Sequence, residues 1–181
     1  IYEIEGAERV AIEVRSYSKT AGFTGIRLGY TVVPKGLTTR YSDGSEASLR
    51  EMWRRRQTTK FNGASYIVQR GAEALYTPEG KLQLQRNIDL YVGNAMIIRK
   101  ALLESGFRTV GGENSPYVWG KPAGDVDSWE AFDRILRGAH VSTTPGEGFG
   151  RSGRGYLRFT GFNSRENKIA AMQRIRRLNT L

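Results

Sequence analysis

The chain has 181 residues and a formal net charge of +10, from 28 Lys and Arg against 18 Asp and Glu. This length suits one domain or two small ones, and 39% hydrophobic residues are enough to form a buried core. The absence of cysteine and the single histidine exclude disulfide scaffolds, cysteine zinc sites and thiol catalysis, so no metal site is predicted. No apolar run is long enough for a membrane helix and no secretory signal is evident, so we expect a cytoplasmic protein without a membrane partner.

Strands and helices alternate in the first part of the chain. Short apolar strands are predicted at 10–14 and 29–33. The segment between them, 16–29, is rich in Ser, Thr and Gly and is predicted to be a loop. Two amphipathic helices are predicted at 45–58 and 63–75. This alternation indicates an α/β fold.

A long helix follows these elements. Thr77 can cap its N-terminus, Pro78 suits its first turn and Gly106 its C-terminal end. Apolar residues recur along one face of it, at Leu84, Ile88, Val92, Ala95, Ile98 and Leu102. Such spacing predicts a long helix with one buried stripe. We place a domain boundary at its end, between residues 1–106 and 107–181.

The remaining residues are predicted to form a small α+β domain. Its expected elements are strands at 107–110 and 116–121, a helix at 128–136, strands at 140–144 and 155–159 on either side of a glycine-rich loop, and a closing helix at 164–178. His140 is interpreted as a structural residue.

The residues with the clearest chemistry lie in the segment 16–29. Lys19 carries an amine that can form a Schiff base with an aldehyde. The hydroxyls of Ser16 and Ser18 and the guanidinium of Arg27 can hold a phosphate dianion. Together these groups suit pyridoxal phosphate. From composition alone, an ordinary loop remains the alternative.

The order of the residues is more specific than their composition. Positions 16–29 resemble the lysine-site signature of class I aminotransferases. Five further strings resemble the LL-diaminopimelate aminotransferase branch of that family: Ser-Lys-Thr-Ala-Gly-Phe-Thr-Gly at 18–25, Thr-Lys-Phe-Asn-Gly-Ala at 59–64, Glu-Asn-Ser-Pro-Tyr-Val-Trp at 113–119, Pro-Gly-Glu-Gly-Phe-Gly at 145–150 and Gly-Tyr-Leu-Arg-Phe-Thr-Gly-Phe at 155–162. The resemblance covers essentially the whole chain, but it corresponds to only the C-terminal part of those enzymes.

The resemblance implies a fold and a reaction. Residues 1–106 would be part of the three-layer α/β/α large domain of a pyridoxal-phosphate-dependent transferase. The long helix would join that domain to the small α+β domain at 107–181. The implied reaction transfers the amino group of L-glutamate to tetrahydrodipicolinate, giving LL-2,6-diaminopimelate and 2-oxoglutarate on the route to lysine.

The resemblance also assigns site residues. Lys19 would hold pyridoxal phosphate covalently and be the catalytic residue. Ser16, Ser18 and Arg27 would bind the cofactor's phosphate side. Arg158 would bind the substrate α-carboxylate, and Asn62 would reach the active site of the other subunit in a homodimer. By their sequence context alone, Arg158 could be a surface arginine and Asn62 part of an ordinary turn.

One group that such enzymes need has no counterpart here. An acidic side chain normally faces the pyridinium nitrogen of the cofactor. None of the residues before Lys19 is an Asp, the residue that the resembled family uses. We therefore expect the sequence to be partial, and the 181-residue portion to be inactive alone.

Two other functions stay open at this point. The enzyme could be a class I aminotransferase for another amino acid, such as alanine or aspartate. The positive charge, concentrated at Arg54–Arg56 and between Arg151 and Arg177, would also suit a basic nucleic-acid-binding module. No recognisable nucleic-acid motif supports that alternative, so we predict no nucleic-acid partner.

Overall fold

The computed structural model of the chain describes residues 1–178; residues 179–181 of the predicted C-terminal domain lie outside the described residues. The fold is α/β, and the chain divides into two compact units, Ile1–Gln85 and Arg86–Leu181. This division falls within the long helix. The domain boundary that we placed near residue 106 concerns the domains of a longer enzyme and stays a prediction.

The helices are α1 (Ala7–Val10), α2 (Tyr17–Thr20), α3 (Leu49–Lys60), α4 (Tyr66–Ala74), α5 (Pro78–Glu104), α6 (Ser128–Ala139) and α7 (Arg165–Arg176). The strands are β1 (Glu13–Ser16), β2 (Gly29–Val32), β3 (Thr38–Arg40), β4 (Glu46–Ser48), β5 (Arg108–Gly111), β6 (Tyr117–Lys121), β7 (Thr144–Pro145) and β8 (Leu157–Thr160). Two 3-10 turns, Gly146–Phe149 and Arg151–Gly153, precede β8.

The first unit contains two antiparallel ribbons. Strand β1 pairs with β2, and Ser16 lies opposite Gly29. The predicted strand at 10–14 is therefore displaced, because Ala7–Val10 forms a helix and the strand begins at Glu13. The predicted loop at 16–29 contains α2, because the Ser16 hydroxyl accepts the backbone N–H of Ser18 and starts a helical turn.

The second ribbon, β3–β4, was not predicted. Asp43 forms its turn by accepting hydrogen bonds from the backbone N–H and the hydroxyl of Ser45, at 2.9 and 2.6 Å. Helix α3 then begins at Leu49 rather than at residue 45. Ser48 caps that helix, since its hydroxyl accepts the backbone N–H of Glu51. The predicted helix at 63–75 is confirmed as the shorter α4.

The long helix is confirmed as α5. The hydroxyl of Thr77 accepts the backbone N–H of Gly80 at 3.0 Å, which caps the helix, and Pro78 is its first residue. Gly106 follows the helix with a φ of +81°, a conformation that glycine adopts without steric cost. None of the helices within residues 1–178 combines the length and apolar character that crossing a membrane requires.

The second unit has a four-stranded antiparallel sheet in the order β5-β6-β8-β7. Side chains alternate along β6 and β8, so Val118, Leu157 and Phe159 are buried while their neighbours are half-buried. The buried face packs with residues of α5, α6 and α7, including Ile98, Leu102, Ile135, Met172 and Ile175. This core supports the half-buried face on which Arg158 lies.

The predicted elements of this unit have somewhat different bounds, and three of the differences have a local cause. Helix α6 continues to Ala139, and His140 terminates it in the left-handed conformation with a φ of +52°. The strand predicted at 140–144 is therefore reduced to Thr144–Pro145. The glycine-rich loop forms two 3-10 turns, so β8 starts at Leu157 instead of residue 155.

Candidate functional site

Lys19 lies on α2, the single helical turn that follows β1 directly. Because Ser16 pairs with Gly29, residues 17–28 form one closed connection between the two strands. The four predicted cofactor residues, Ser16, Ser18, Lys19 and Arg27, therefore lie at the same end of the β1–β2 ribbon. The side chains of Ser16, Lys19 and Arg27 are exposed, and that of Ser18 is half-buried.

Thr24 joins two of these residues. Its hydroxyl donates to the carbonyl oxygen of Ser18 at 2.9 Å, and its own carbonyl accepts from the Arg27 guanidinium at 2.6 Å. Arg27 has a positive φ of +66°, which is uncommon for a residue with a side chain. Thr24 thus links Arg27 to Ser18 through two hydrogen bonds. We did not predict this role, because a threonine in a Gly/Thr-rich loop has no distinctive pattern.

Tyr17, Tyr30 and Tyr76 form a tyrosine cluster at the segment between β1 and β2. The hydroxyls of Tyr17 and Tyr76 lie 2.7 Å apart, and the Tyr17 ring packs against Phe23 and Tyr30 at centroid distances of 6.0 and 5.7 Å. Burial raises the pKa of Tyr17 well above its ordinary value, and the hydrogen bond with Tyr76 raises it further. Tyr17 is therefore neutral at physiological pH and acts here as a packing and hydrogen-bonding residue.

A cleft of about 490 Å³ lies beside this cluster within the first unit. Tyr17, Tyr30 and Tyr76 line it, together with Phe61 and Gly63. Asn62, placed between those last two residues after the end of α3, is exposed. The predicted substrate residue Asn62 thus belongs to an exposed segment next to a cleft.

Arg158 lies in the second unit, on the half-buried face of β8. Its cross-strand partners are Trp119 on β6 and Thr144 on β7. The guanidinium carbon is 4.8 Å from the centroid of the Tyr117 ring and 4.5 Å from that of Phe149. Its Nε is buried without a hydrogen-bond partner, which is uncommon for a charged group in a folded protein.

The glycine-rich loop carries Phe149. Gly146 and Gly153 approach each other so closely that a methyl group on either would overlap the backbone oxygen of the other. The buried Ser128 hydroxyl fastens the loop by accepting the backbone N–H of Gly155 at 2.8 Å and donating to the carbonyl of Gly153 at 3.3 Å. The glycines are therefore required by backbone packing.

Two carboxyl groups lie close together here: Asp127 precedes α6, and Glu147 lies in the first 3-10 turn of the loop. The backbone N–H of Trp129 lowers the pKa of Asp127, which caps α6. Desolvation raises the pKa of Glu147, and its hydrogen bond with Asp127 acts in the same direction. Arg154 lies 3.8 Å from the Glu147 carboxylate and opposes that shift. Asp127, Glu147 and Arg154 thus form a cluster of charged side chains at the protein surface.

The residues at the end of the β1–β2 ribbon fit pyridoxal phosphate. Two hydroxyls and a guanidinium provide hydrogen-bond donors for a phosphate, and Lys19, which follows Ser18 in the chain, carries an amine for an aldehyde. Thr24 occupies one nitrogen of the Arg27 guanidinium, and Arg27 lies exposed. In the part of the chain that the structure describes, no cluster of three or more His, Cys, Asp or Glu residues is placed to hold a metal ion.

Comparison with known proteins agrees with this chemistry. The family model for aminotransferase class I and II matches residues 3–174. A curated LL-diaminopimelate aminotransferase from Phocaeicola vulgatus is 57% identical over 98% of the chain, and one from Methanosphaera stadtmanae is 55% identical over 98%. The chain spans 43% of the length of each of these relatives and fits their C-terminal portion.

Solved structures give the same result. The L,L-diaminopimelate aminotransferase from Chlamydomonas reinhardtii matches with a TM-score of 0.88 and 45% identity, over 99% of this chain and 43% of that one. A probable N-succinyldiaminopimelate aminotransferase from Thermus thermophilus matches with a TM-score of 0.74 and 29% identity, over 97% of this chain and 44% of that one. The chain therefore belongs to the family of class I and II aminotransferases.

Proposed function

We propose that the enzyme containing this chain is an LL-diaminopimelate aminotransferase. It transfers the amino group of L-glutamate to tetrahydrodipicolinate, giving LL-2,6-diaminopimelate and 2-oxoglutarate in lysine biosynthesis. The observation that carries this proposal is the 53–57% identity to curated relatives of that name over about 98% of the chain. The reaction is reversible and proceeds in two half-reactions, so ping-pong kinetics are expected.

The cofactor of this family is pyridoxal phosphate, which supplies an electron sink for negative charge on the substrate carbon. In our proposal Lys19 would hold the cofactor by condensing with its aldehyde and releasing water, and the amine, once freed, would carry a proton to and from the substrate carbon. Ser16 and Ser18 would donate hydrogen bonds to the phosphate, and Arg27 would neutralise its charge. The arrangement of these residues at one ribbon end supports these roles.

Arg158 binds the substrate α-carboxylate. A guanidinium presents parallel N–H donors that match the two oxygens of a carboxylate. Two features support this role: the ring contacts that hold Arg158, and its buried Nε, which has no partner. A ligand that supplies oxygen acceptors and negative charge complements both features.

We propose that the enzyme is a cytoplasmic homodimer and that Asn62 enters the active site of the partner subunit. Exposed apolar side chains on both sides of Asn62 support this arrangement. Phe61 is 52% exposed, Tyr66 73% and Ile67 81%. Neighbouring exposed apolar residues of this size are typical of a surface covered by another protein surface.

The proposal is tested by assaying the full-length enzyme with L-glutamate and three acceptors: tetrahydrodipicolinate, pyruvate and oxaloacetate. We expect turnover with tetrahydrodipicolinate to exceed that with both other acceptors. Turnover with pyruvate or oxaloacetate alone would contradict the substrate assignment and favour an alanine- or aspartate-type enzyme. The Lys19→Ala variant is the control for activity from a contaminating transaminase.

A further inference from the structure

Two aromatic rings flank the guanidinium of Arg158. The ring centroids of Tyr117 and Phe149 lie 4.8 and 4.5 Å from its central carbon. Both distances are within the roughly 6 Å range of a cation–π interaction. The two rings come from different elements, β6 and the 3-10 turn Gly146–Phe149, and were not assigned a role by the sequence.

These rings provide the electrostatic partners of the guanidinium. Among residues 1–178, no carboxylate lies within the 4.0 Å of Arg158 that defines an ion pair. The guanidinium carbon lies over both rings, and a ring attracts the cation without a carboxylate that would occupy the N–H donors, so these stay available for hydrogen bonding. An ion pair within the protein would instead occupy those same donors.

Each ring is itself held in place. Trp119 packs edge-on against Phe149 at a centroid distance of 5.2 Å, and Phe162 packs edge-on against Tyr117 at 5.7 Å. The Gly146–Gly153 contact fixes the turn from which Phe149 projects. These contacts hold the rings without the Arg158 side chain.

We propose that Phe149 and Tyr117 are positioning residues that hold the plane of the Arg158 guanidinium for binding the α-carboxylate of the amino-acid substrate. The inference rests on the proposed function of Arg158. Without one ring the guanidinium samples more orientations, and carboxylate binding must then restrict them. Removing a ring weakens ground-state and transition-state binding alike, which raises KM and leaves kcat nearly unchanged.

The test uses the full-length enzyme and the half-reaction with L-glutamate, for which KM denotes the glutamate concentration that gives half the maximal rate constant and kcat denotes that maximal rate constant. For Phe149→Leu we expect an increase of about 3- to 10-fold in the KM for L-glutamate and a kcat within about twofold of wild type. Phe149→Tyr should restore the wild-type KM. Phe149 is 52% exposed and lines a hollow of about 380 Å³, so a hydroxyl can be accommodated.

A matched control separates positioning from packing. Phe132→Leu makes the same change on α6, where the ring packs edge-on against Trp129 at 6.1 Å. The KM of the Phe132→Leu enzyme for L-glutamate should equal that of wild type. Tyr117→Phe, which keeps the ring over Arg158, should also leave KM unchanged. Tyr117→Leu provides the second test if Phe149→Leu does not fold.

A double variant tests whether the rings act through Arg158. In an Arg158→Lys enzyme, adding Phe149→Leu should change KM by less than about twofold. Equal KM values for Phe149→Leu and wild type would overturn the inference. A KM for Phe149→Tyr as high as that for Phe149→Leu would overturn it as well. A wild-type enzyme that does not react with L-glutamate would refute the proposed function itself, whereas failure with tetrahydrodipicolinate alone leaves this test valid.

Discussion

Arg158 combines a strand position, two ring contacts and a buried Nε. Strand alternation explains its place: Leu157 and Phe159 face the core, so the residue between them faces the other side of the sheet. Arginine suits this location because its planar group can stack on rings and hydrogen-bond through its edge at the same time. Lysine has the same charge, but it has no planar group that could stack on the rings while its edge donates hydrogen bonds.

Arg158→Lys in the full-length enzyme should raise the KM for L-glutamate by about 10- to 100-fold. The lost charge-assisted hydrogen bond costs about 1.5–3 kcal/mol, and about 1.4 kcal/mol corresponds to a tenfold change in KM. Steady-state kinetics at several glutamate concentrations measure it. Arg154→Lys, at an exposed arginine that faces Glu147, is the control and should keep the wild-type KM. A wild-type KM in Arg158→Lys would refute carboxylate binding by Arg158.

The site residues differ in how well the sequence predicts them. Ser16, Ser18, Lys19 and Arg27 lie in one short segment, so their spacing in the chain already brings them together. Phe149 could not be found in this way, because it meets Arg158 only after the loop has folded onto the sheet. The string at 145–150 belongs to the resemblance, but it does not say which side chain its phenylalanine contacts.

At the level of elements, the loop at 146–153 depends on two glycines. Gly153→Ala should lower the free energy of unfolding by about 1–3 kcal/mol, because the added methyl group overlaps the carbonyl of Gly146. Urea unfolding measures this change. Gly148→Ala is the matched control: nothing lies within 4 Å of the position of its Cβ, so we expect a change below about 0.5 kcal/mol. Equal stabilities of the two variants would contradict the packing of the loop.

Helix α5 is joined to the end of β8 by a buried amide. The side-chain nitrogen of Asn94 donates to the carbonyls of Gly161 and Asn163 at 2.9 and 3.0 Å, and the residue is fully buried. Asn94→Ala should therefore destabilise the protein by about 1–3 kcal/mol, since the buried carbonyl of Gly161 and the partly buried carbonyl of Asn163 lose their donor.

Urea unfolding measures the stability of Asn94→Ala, and the same measurement on Asn87→Ala provides the control. Asn87 lies on the same helix and is exposed, so its replacement should change stability by less than about 0.5 kcal/mol. If Asn94→Ala were as stable as Asn87→Ala, the buried amide would not hold the helix to the sheet.

Elements with long periodic patterns were the best predicted. The stripe from Leu84 to Leu102 specified α5 because a helix of this length repeats its pattern over many turns. Short elements were missed where one polar side chain decides the conformation. The β3–β4 hairpin depends on Asp43 in its turn, and α3 starts where Ser48 caps it. A serine or aspartate of this kind is common in loops, so its effect is visible only in the structure.

The two units of the chain differ in how much apolar surface they bury. In the second unit, residues from α5, α6, α7 and the sheet form one core. In the first unit, the described buried apolar residues are Ala7, Leu37 and Ala72, whereas Val14 is 76% exposed. A two-stranded ribbon has too few neighbours to cover both of its faces. The chain also spans only 43% of its curated relatives' length, so most of the expected fold lies outside it.

The proposed shared active site predicts complementation between subunits. Full-length Lys19→Ala and Asn62→Ala homodimers should each have low activity. After mixing under conditions that exchange subunits, hybrid dimers contain one site with both native residues, because Lys19 and Asn62 come from different subunits. Activity should rise to about a quarter of the wild-type value.

An exchange experiment without any gain in activity would place both residues in one subunit's site or exclude Asn62 from it. Two checks make the outcome interpretable. Mixing Lys19→Ala with itself must give no gain, and mass measurement of differently tagged subunits must show that hybrids form. The gain should scale with the measured fraction of hybrids.

The most direct test of the central assignment is a mass spectrum of the full-length enzyme after incubation with pyridoxal phosphate and reduction with borohydride. Peptide mapping should locate one phosphopyridoxyl group on Lys19, and the Lys19→Ala variant should carry none there. Lys35→Ala, at an exposed lysine just after β2, should be modified on Lys19 like the wild type. A reduced group on another lysine, or none on a folded full-length enzyme, would contradict the assignment of Lys19 as the cofactor-binding residue.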